Sequence, residues 1–246
     1  MTRFALALLL TVVLSGCGAQ RDPSTLTVFA AASLRTSFAE IGEQFERDHP
    51  GMNVEFSFAG SSDLVTQLTQ GAYADVFASA DARNMDRAAE AGLLDGAPVD
   101  FAANTLTIAV APGNPKGIRS LRDLSARDVR VVLCAPQVPC GRAAAAVVEA
   151  SGADLRPVSE ESSVTDVLNK LTSGQADAGL VYVTDARDAG ERVTAVAFPE
   201  AAQSVNTYPI AVLKDTQNAT GARQFMAAVT GPAGQMVLRR NGFVVL

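Results

Sequence analysis

The sequence is poor in several residue types on which common protein functions depend. Trp is absent, aromatic residues make up 6% of the chain, and 246 residues include one histidine. So few aromatic side chains leave little surface on which bases or sugars could stack. Acidic residues outnumber basic ones and give a formal charge of −6. A nucleic-acid partner is therefore not expected, because nucleic acids are bound through basic surfaces.

The single histidine also limits the enzyme classes to which the chain could belong. His49 lies in an Asp-His-Pro turn, and neither a G-x-S-x-G nor an H-E-x-x-H motif occurs. A hydrolase using Ser61 or Ser62 would lack a suitable base, and one histidine among scattered carboxylates makes a poor metal site. We therefore expect a protein that is not an enzyme and that carries no cofactor.

Long apolar runs are scarce too, and the clearest one stands at the start of the chain. FALALLLTVVL follows Arg3 and has the length of a signal peptide rather than of a membrane span. It leads into Leu-Ser-Gly-Cys17, which resembles the bacterial lipobox, where cleavage precedes a lipid-carrying cysteine. We expect residues 1–16 to be a lipoprotein signal peptide and Cys17 to carry acyl chains such as palmitate. Residues 17–24 would then be a linker. An uncleaved anchor and a plain signal with an incidental cysteine are the alternatives.

The export signal predicts where the mature protein resides and how its other cysteines behave. We expect it to be tethered to the outer face of the cytoplasmic membrane, on the periplasmic side. In such an oxidising compartment, Cys134 and Cys140 are predicted to form a small disulfide loop across APQVP. Two free thiols are the alternative, because the sequence does not give the geometry that a disulfide requires.

Short apolar strands alternate with amphipathic helices along the rest of the chain. Residues 33–48, for example, carry apolar side chains at spacings of three and four residues, typical of one face of a helix. This alternation predicts an α/β fold with mixed, mainly parallel sheets flanked by helices. Two similar blocks predict two lobes, with the end of the chain returning to the first. Residues 25–104 and 206–246 would form lobe I, and residues 105–205 would form lobe II.

Small residues, several of them hydroxylated, stand where four predicted helices begin. These joints contain Ser33, Ser61 with Ser62, Cys140 with Gly141, and Ser162 with Ser163. In an open parallel sheet such turns share the carboxyl edge of the strands. They present unpaired N–H groups and the positive end of a helix dipole, which bind oxyanions without lysine or arginine. Each joint alone could be only an N-cap, but four together predict an anion site.

Several stretches resemble the periplasmic molybdate-binding proteins of ABC importers. They are TVFAAASL (27–34), FAGSSDLVTQL (58–68), QGAYADVFASAD (70–81), GLVYVTDA (179–186), FPE (198–200), YPIAVL (208–213) and GPAGQMVLRRNGF (231–243). This resemblance covers essentially the whole mature chain. It implies a two-lobed periplasmic-binding-protein fold of type II, with crossover strands between the lobes and an oxyanion in the cleft. It also implies a monomeric lipoprotein that captures molybdate or tungstate and passes it to the permease and ATPase of an importer.

The resemblance further implies five ligand-binding residues and no cation site. Ser33 and Ser61 would each offer a hydroxyl and a backbone N–H. Cys140 and Val164 would offer backbone N–H groups, and Tyr182 its phenol hydroxyl. The family usually has a small residue, often alanine, where this chain has Cys140. A backbone donor tolerates that change, although a disulfide there could stiffen or reshape the wall of the site.

Other functions stay open at this point. The ligand could be another oxyanion, such as sulfate or thiosulfate, or a ferric complex. The chain could also be a sensor that reports to a signalling partner, because a fold does not fix a function. A site that contains only donors would disfavour hydrogen phosphate, which carries a proton and needs an acceptor. This selectivity requires that the Asp63 side chain point to solvent.

Overall fold

The computed structural model describes residues 22–246, so the predicted signal peptide and Cys17 lie outside the described residues. The strands are β1 (Thr25–Ala31), β2 (Asn53–Ala59), β3 (Val76–Ala78), β4 (Val99–Val110), β5 (Val131–Cys134), β6 (Ser159–Glu161), β7 (Ala178–Tyr182), β8 (Thr194–Val196), β9 (Val205–Val212) and β10 (Val244–Val245). The helices are α1 (Arg35–Asp48), α2 (Ser61–Thr69), α3 (Ala82–Glu90), α4 (Pro139–Ser151), α5 (Val164–Thr172), α6 (Val183–Ala189), α7 (Ala219–Thr230) and α8 (Pro232–Arg240). Short 3-10 helices cover Ala32–Leu34, Leu121–Ser125, Gly190–Arg192 and Pro199–Gln203.

The strands form a mixed sheet in the order β2-β1-β3-β9-β4-β7-β5-β6. Strand β1 pairs in parallel with β2 and β3, and β5 pairs in parallel with β6 and β7. Strands β4 and β9 are antiparallel to each other and to their other neighbours. Most strands that precede helices therefore have a parallel neighbour, as the alternation predicts, whereas β9, which precedes α7, is antiparallel to both of its neighbours. The antiparallel pairings of β4 and β9 arise where the chain crosses between the two ends of the sheet.

Strand β4 is the crossover that connects the two halves of the molecule. Its first part, from Val99 to Thr105, pairs with β9. Its second part, from Leu106 to Val110, pairs with β7 on one side and β8 on the other. One continuous strand therefore belongs to both ends of the sheet, and the fold is the two-lobed α/β arrangement that the sequence predicts.

The buried apolar side chains form separate cores at the two ends. One core contains residues between Leu106 and Phe198 and is covered by α4, α5 and α6. The other end has two clusters, built from residues up to Ala102 and from Tyr208 onward. We call the elements around these two clusters lobe I and those around the first core lobe II. The exact residue boundaries of the lobes stay a prediction.

The apolar face predicted for residues 33–48 is buried in the core of lobe I. Phe38 and Phe45 are almost fully buried, and both lie against Phe225 of α7 with ring centroids 6.1 and 5.5 Å apart. The helix ends at Asp48, and its C-cap residue His49 has its Nδ1 2.9 Å from the Phe45 carbonyl oxygen. Within residues 22–246, none of the helices combines the length and the apolar character needed to span a membrane.

Candidate anion-binding site

All five residues that the family resemblance assigns to ligand binding line one small cavity between the lobes. Ser33 lies in the 3-10 helix that follows β1, and Ser61 is the first residue of α2. From lobe II, Cys140 lies in the first turn of α4, Val164 begins α5, and Tyr182 ends β7. The cavity has a volume of about 20 Å³. The structure therefore brings together four helix starts that are distant from one another in the sequence.

Backbone N–H groups provide one set of donors for this cavity. The first N–H groups of an α-helix have no partner within the helix, and the helix dipole adds a partial positive charge there. Helices α2, α4 and α5 all begin at the cavity wall. Helix α4 begins with Pro139, which has no N–H to lose and whose fixed φ suits a first helical position. Such an arrangement attracts an anion without a formal positive charge.

The two serine hydroxyls are held in place by neighbours that sequence reasoning did not assign to the site. Ser33 Oγ lies 3.0 Å from the hydroxyl of Tyr208, and both residues are buried. Ser61 Oγ accepts a hydrogen bond from the backbone N–H of Ala80 at 3.0 Å. Because this bond uses the serine oxygen as the acceptor, the Ser61 O–H remains available as a donor. Ala80 lies in ADVFASAD and Tyr208 in YPIAVL, two of the stretches that resemble the family. This resemblance was the only sequence feature that could have pointed to them.

Among the buried polar side-chain atoms of the described residues, only the Tyr182 hydroxyl makes no hydrogen bond of normal geometry, although the neighbouring Tyr208 hydroxyl contributes to its raised pKa. Tyr182 is 1% exposed, and its ring lies edge-on to that of Tyr208 with centroids 6.0 Å apart. Burial raises the pKa of the Tyr182 phenol well above its ordinary value, so the group keeps its proton. An unpaired buried hydroxyl costs on the order of 1–3 kcal/mol. A ligand that accepts this hydrogen bond would remove that cost.

No formally charged side chain is among the residues that line the cavity. Asp63, in the first turn of α2, is exposed to solvent, as the selectivity argument requires. Asp185 is 7% exposed and accepts a hydrogen bond from the backbone N–H of Tyr182 at 3.1 Å. Burial raises the pKa of Asp185 to about 8, so this carboxyl group is mostly neutral at pH 7.

A disulfide connects Cys134 and Cys140, with the sulfur atoms 2.08 Å and the Cα atoms 5.7 Å apart. It ties the end of β5 to the first turn of α4, which carries a backbone N–H at the cavity. The next residue, Gly141, packs so closely that a Cβ atom there would lie 1.9 Å from the Ala135 carbonyl oxygen. The resemblance leads one to expect a small residue at position 140. In this chain Cys140 instead forms a disulfide that fixes one wall of the site covalently.

The fourth predicted joint behaves partly as a helix cap. Ser162 and Ser163 both line the cavity. The Ser163 hydroxyl accepts from the backbone N–H of Asp166 at 3.2 Å and donates to the Asp166 carboxylate at 2.7 Å. Because this hydroxyl caps α5, the donor that this joint can offer to an ion in the cavity is the backbone N–H of Val164. Within residues 22–246, no group of three or more His, Cys, Asp or Glu side chains could hold a metal ion.

Known proteins resemble the chain over nearly its whole length. The family model for bacterial extracellular solute-binding proteins matches residues 26–244. The molybdate-binding protein ModA of Mycobacterium tuberculosis is 57% identical over 93% of this chain and 88% of its own length. The ModA protein of Escherichia coli is 32% identical over 91% of this chain and 90% of its own length. The structure of the Azotobacter vinelandii periplasmic molybdate-binding protein matches with a TM-score of 0.78 and 24% identity, over 90% and 99% of the two chains. That last likeness concerns the fold alone, whereas the sequence relatives are solute-binding proteins and not enzymes.

Proposed function

Because this chain belongs to the bacterial extracellular solute-binding proteins, and among them to the molybdate-binding ModA proteins, we propose that it captures molybdate between its lobes for delivery to an ABC importer. The observation that carries this proposal is the buried Tyr182 hydroxyl, unpartnered in a cavity where helix starts from both lobes meet. Ser33 and Ser61 would bind the ion from lobe I. Cys140, Val164 and Tyr182 would bind it from lobe II.

A neutral site of this kind suits a small dianion that must be released again. Donors fixed in a water-excluded cleft interact with charge more strongly than the same donors in water. Contacts from both lobes mean that the ion stabilises the closed arrangement of the cleft, which would report occupancy to the permease. The cavity is small and is lined by residues of both lobes, which suits a compact ion better than a sugar or a peptide.

The donor set favours anions that carry no proton. Hydrogen phosphate would bring its own O–H into a cavity that lacks a side-chain carboxylate, leaving one group unpaired at a cost of about 1–3 kcal/mol. Tungstate should bind about as well as molybdate, because the two ions share charge and shape. Sulfate has shorter bonds to oxygen and would contact fewer of the fixed donors at once.

The finer points of location and assembly form part of the same proposal. The protein would be held at the outer face of the cytoplasmic membrane by acyl chains on Cys17 and would work as a monomer with the permease and ATPase of the importer. Lobe I would comprise residues 25–104 and 206–246, and lobe II residues 105–205, so that β4 and the approach to β9 act as the hinge.

Calorimetric titration of the protein with molybdate, tungstate, sulfate and phosphate at matched ionic strength tests this function. We expect tight binding of molybdate and tungstate, weaker binding of sulfate and the weakest binding of phosphate. Tighter binding of sulfate would assign the protein to the sulfate alternative instead. If none of the four ions binds or raises the melting temperature, the proposal is wrong.

A further inference from the structure

A ring of polar contacts joins the two lobes immediately beside the cavity. Ser62, the second residue of α2, is buried, and its hydroxyl donates to the backbone carbonyl of Gln137 at 2.8 Å. Gln137 lies in the lobe II loop that the Cys134–Cys140 disulfide closes. Ser61 lines the cavity, but Ser62 does not. The two adjacent hydroxyls therefore have different surroundings, and Ser62 faces the opposite lobe.

Arg142 of α4 extends the ring in the other direction. Its guanidinium donates to the same Gln137 carbonyl and forms an ion pair with the carboxylate of Asp81 in lobe I. The side chains of Arg142 and Asp81 are only 25% and 13% exposed. Neither residue lines the cavity. Arg142 thus connects lobe II to lobe I without reaching the site proposed for the ion.

Asp81 and Asn84 complete the ring on the lobe I side. Asp81 is the N-cap of α3, and its carboxylate accepts from the backbone N–H and the side-chain amide of Asn84 at 3.0 and 2.9 Å. The Asn84 amide oxygen in turn lies 3.4 Å from the Ser62 hydroxyl. The Asp81 carboxylate is therefore held in place by α3 even without the arginine. As a result, the ion pair costs less side-chain conformational entropy when it forms.

The contacts of Ser62 and Asp81 with lobe II can exist only when the cleft is closed. Helices α2 and α3 pack into the lobe I core through Leu64 and Met85, whereas Gln137 and Arg142 flank Val138 of the lobe II core. Separation of the lobes would break the Ser62–Gln137 bond and the Asp81–Arg142 pair together. Any interaction formed only in the closed state shifts the opening equilibrium towards that state.

We propose that Ser62, Asp81 and Arg142 form a closure latch, which raises affinity for the captured ion by stabilising the closed cleft without touching the ion. This rests on the proposed function as far as the ion is concerned, but the latch contacts themselves need no ligand. The three residues are positioning residues, because they change the equilibrium between the open and closed forms and do not contact the ion.

The two charges allow the latch to be distinguished from simple electrostatic attraction. If Arg142 acted on the anion through its charge, Arg142→Gln would weaken molybdate binding and Asp81→Asn would strengthen it. A latch requires that both substitutions weaken binding, because each breaks the same pair. It also requires that the double variant bind molybdate no more weakly than the single variant with the lower affinity. Either single substitution already breaks the ion pair, so the second substitution removes no further contact between the lobes.

The test compares molybdate affinity by calorimetry, and the radius of gyration by small-angle scattering, in the wild type, both single variants and the double variant. We expect each single variant to bind about five- to fiftyfold more weakly, as suits a pair between the exposed and buried extremes. Ser62→Ala should weaken binding in the same direction. In the absence of ligand, the Arg142→Gln variant should be more open than the wild type.

The Arg223–Asp95 pair provides a control for the loss of the two charges, because both residues lie in lobe I, with nitrogen and oxygen 2.5 Å apart and side chains 56% and 40% exposed. Arg223→Gln and Asp95→Asn remove the same charges but should leave affinity and the radius of gyration unchanged. Opposite effects of the two single variants, additive effects in the double variant, or affinities equal to wild type would overturn the latch. If the wild type bound no molybdate, the proposed function would fail separately, and the ligand-free scattering comparison would still decide the latch.

Discussion

Replacing Tyr182 with phenylalanine removes one oxygen atom from the site and little else. The hydroxyl that is lost has no hydrogen-bond partner within residues 22–246, and the ring remains packed against Tyr208. The variant should therefore bind molybdate more weakly while the ligand-free protein loses no stability. This combination is unusual, because most substitutions of a fully buried tyrosine destabilise the fold.

The expected changes in affinity and in stability both follow from the loss of this hydroxyl. A hydrogen bond to a charged acceptor is worth about 1.5–3 kcal/mol, which corresponds to a roughly 10- to 150-fold increase in Kd. Removing an unpaired buried hydroxyl, by contrast, relieves a desolvation cost of up to about 1–3 kcal/mol. We therefore expect the free energy of unfolding of the Tyr182→Phe variant to be equal to or greater than that of the wild type. Calorimetry would give the affinity, and urea denaturation the stability.

Tyr208→Phe also removes one phenol hydroxyl, but this variant should be less stable than the wild type. The Tyr208 hydroxyl lies 3.0 Å from Ser33 Oγ, so its removal leaves a buried serine oxygen without that partner. We expect this variant to lose about 1–2 kcal/mol of stability. If Tyr182→Phe also lost stability, or if it bound molybdate as tightly as the wild type, the hydroxyl would not be held for a ligand and the assignment would be wrong.

Three further predictions concern the donors, the closed cleft and pH. Ser61→Ala removes a hydroxyl donor and should weaken molybdate binding by about 1.5–3 kcal/mol in calorimetry; unchanged affinity would contradict the assignment. Gly60 has a φ of −59° that alanine can adopt, but a Cβ atom there would lie 2.2 Å from the Ser162 carbonyl oxygen of the opposite lobe. Gly60→Ala should therefore weaken molybdate binding by about 1–3 kcal/mol, the usual cost of overpacking, and make the molybdate-bound form more open in small-angle scattering; wild-type values would show that the lobes do not meet there. Burial raises the folded-state pKa of Asp185 from 3.8 to about 8, so the native protein keeps a proton that the unfolded chain releases, and stability falls as pH rises through that window. Asp185→Asn should flatten this fall between pH 5 and pH 8 in urea denaturation, and an unaltered pH dependence would rule out the buried carboxyl group as its cause.

The strand-to-helix joints were predictable because their signals are local. A strand of apolar residues, a small or hydroxylated residue and an amphipathic run recur at Ser33 and Ser61, and both positions line the cavity. The apolar face of residues 33–48 was equally readable, since Phe38 and Phe45 recur at helical spacing and are buried. Parallel strands then bring the joints to one edge, whatever the details of the loops.

Elements that lack such patterns were not predictable. Strand β6 has the sequence SEE and pairs through its backbone at the edge of the sheet, so no hydrophobic alternation marks it. Helix α6 follows β7 without a turn, and its seven residues are too few to establish a periodicity. Strand β4 begins at Val99, earlier than the apolar run that starts at Thr105, because its first part is a crossover paired with β9.

Contacts between distant segments could not be read from the sequence at all. Nothing near Ser62 indicates that its hydroxyl meets a carbonyl 75 residues away, and nothing near Arg142 indicates Asp81. These contacts depend on how the lobes approach each other, which is a property of the whole fold. The family resemblance supplied the residues proposed to bind the ion but not the contacts that orient them.

The most direct test of a neutral site built from both lobes is a crystal structure with molybdate, in which anomalous scattering locates the molybdenum. We expect one molybdenum peak in the cavity, with oxygen atoms about 2.6–3.1 Å from the hydroxyls of Ser33, Ser61 and Tyr182 and from the backbone nitrogens of Cys140 and Val164. A peak outside the cleft, or one coordinated by lysine or arginine side chains, would contradict it.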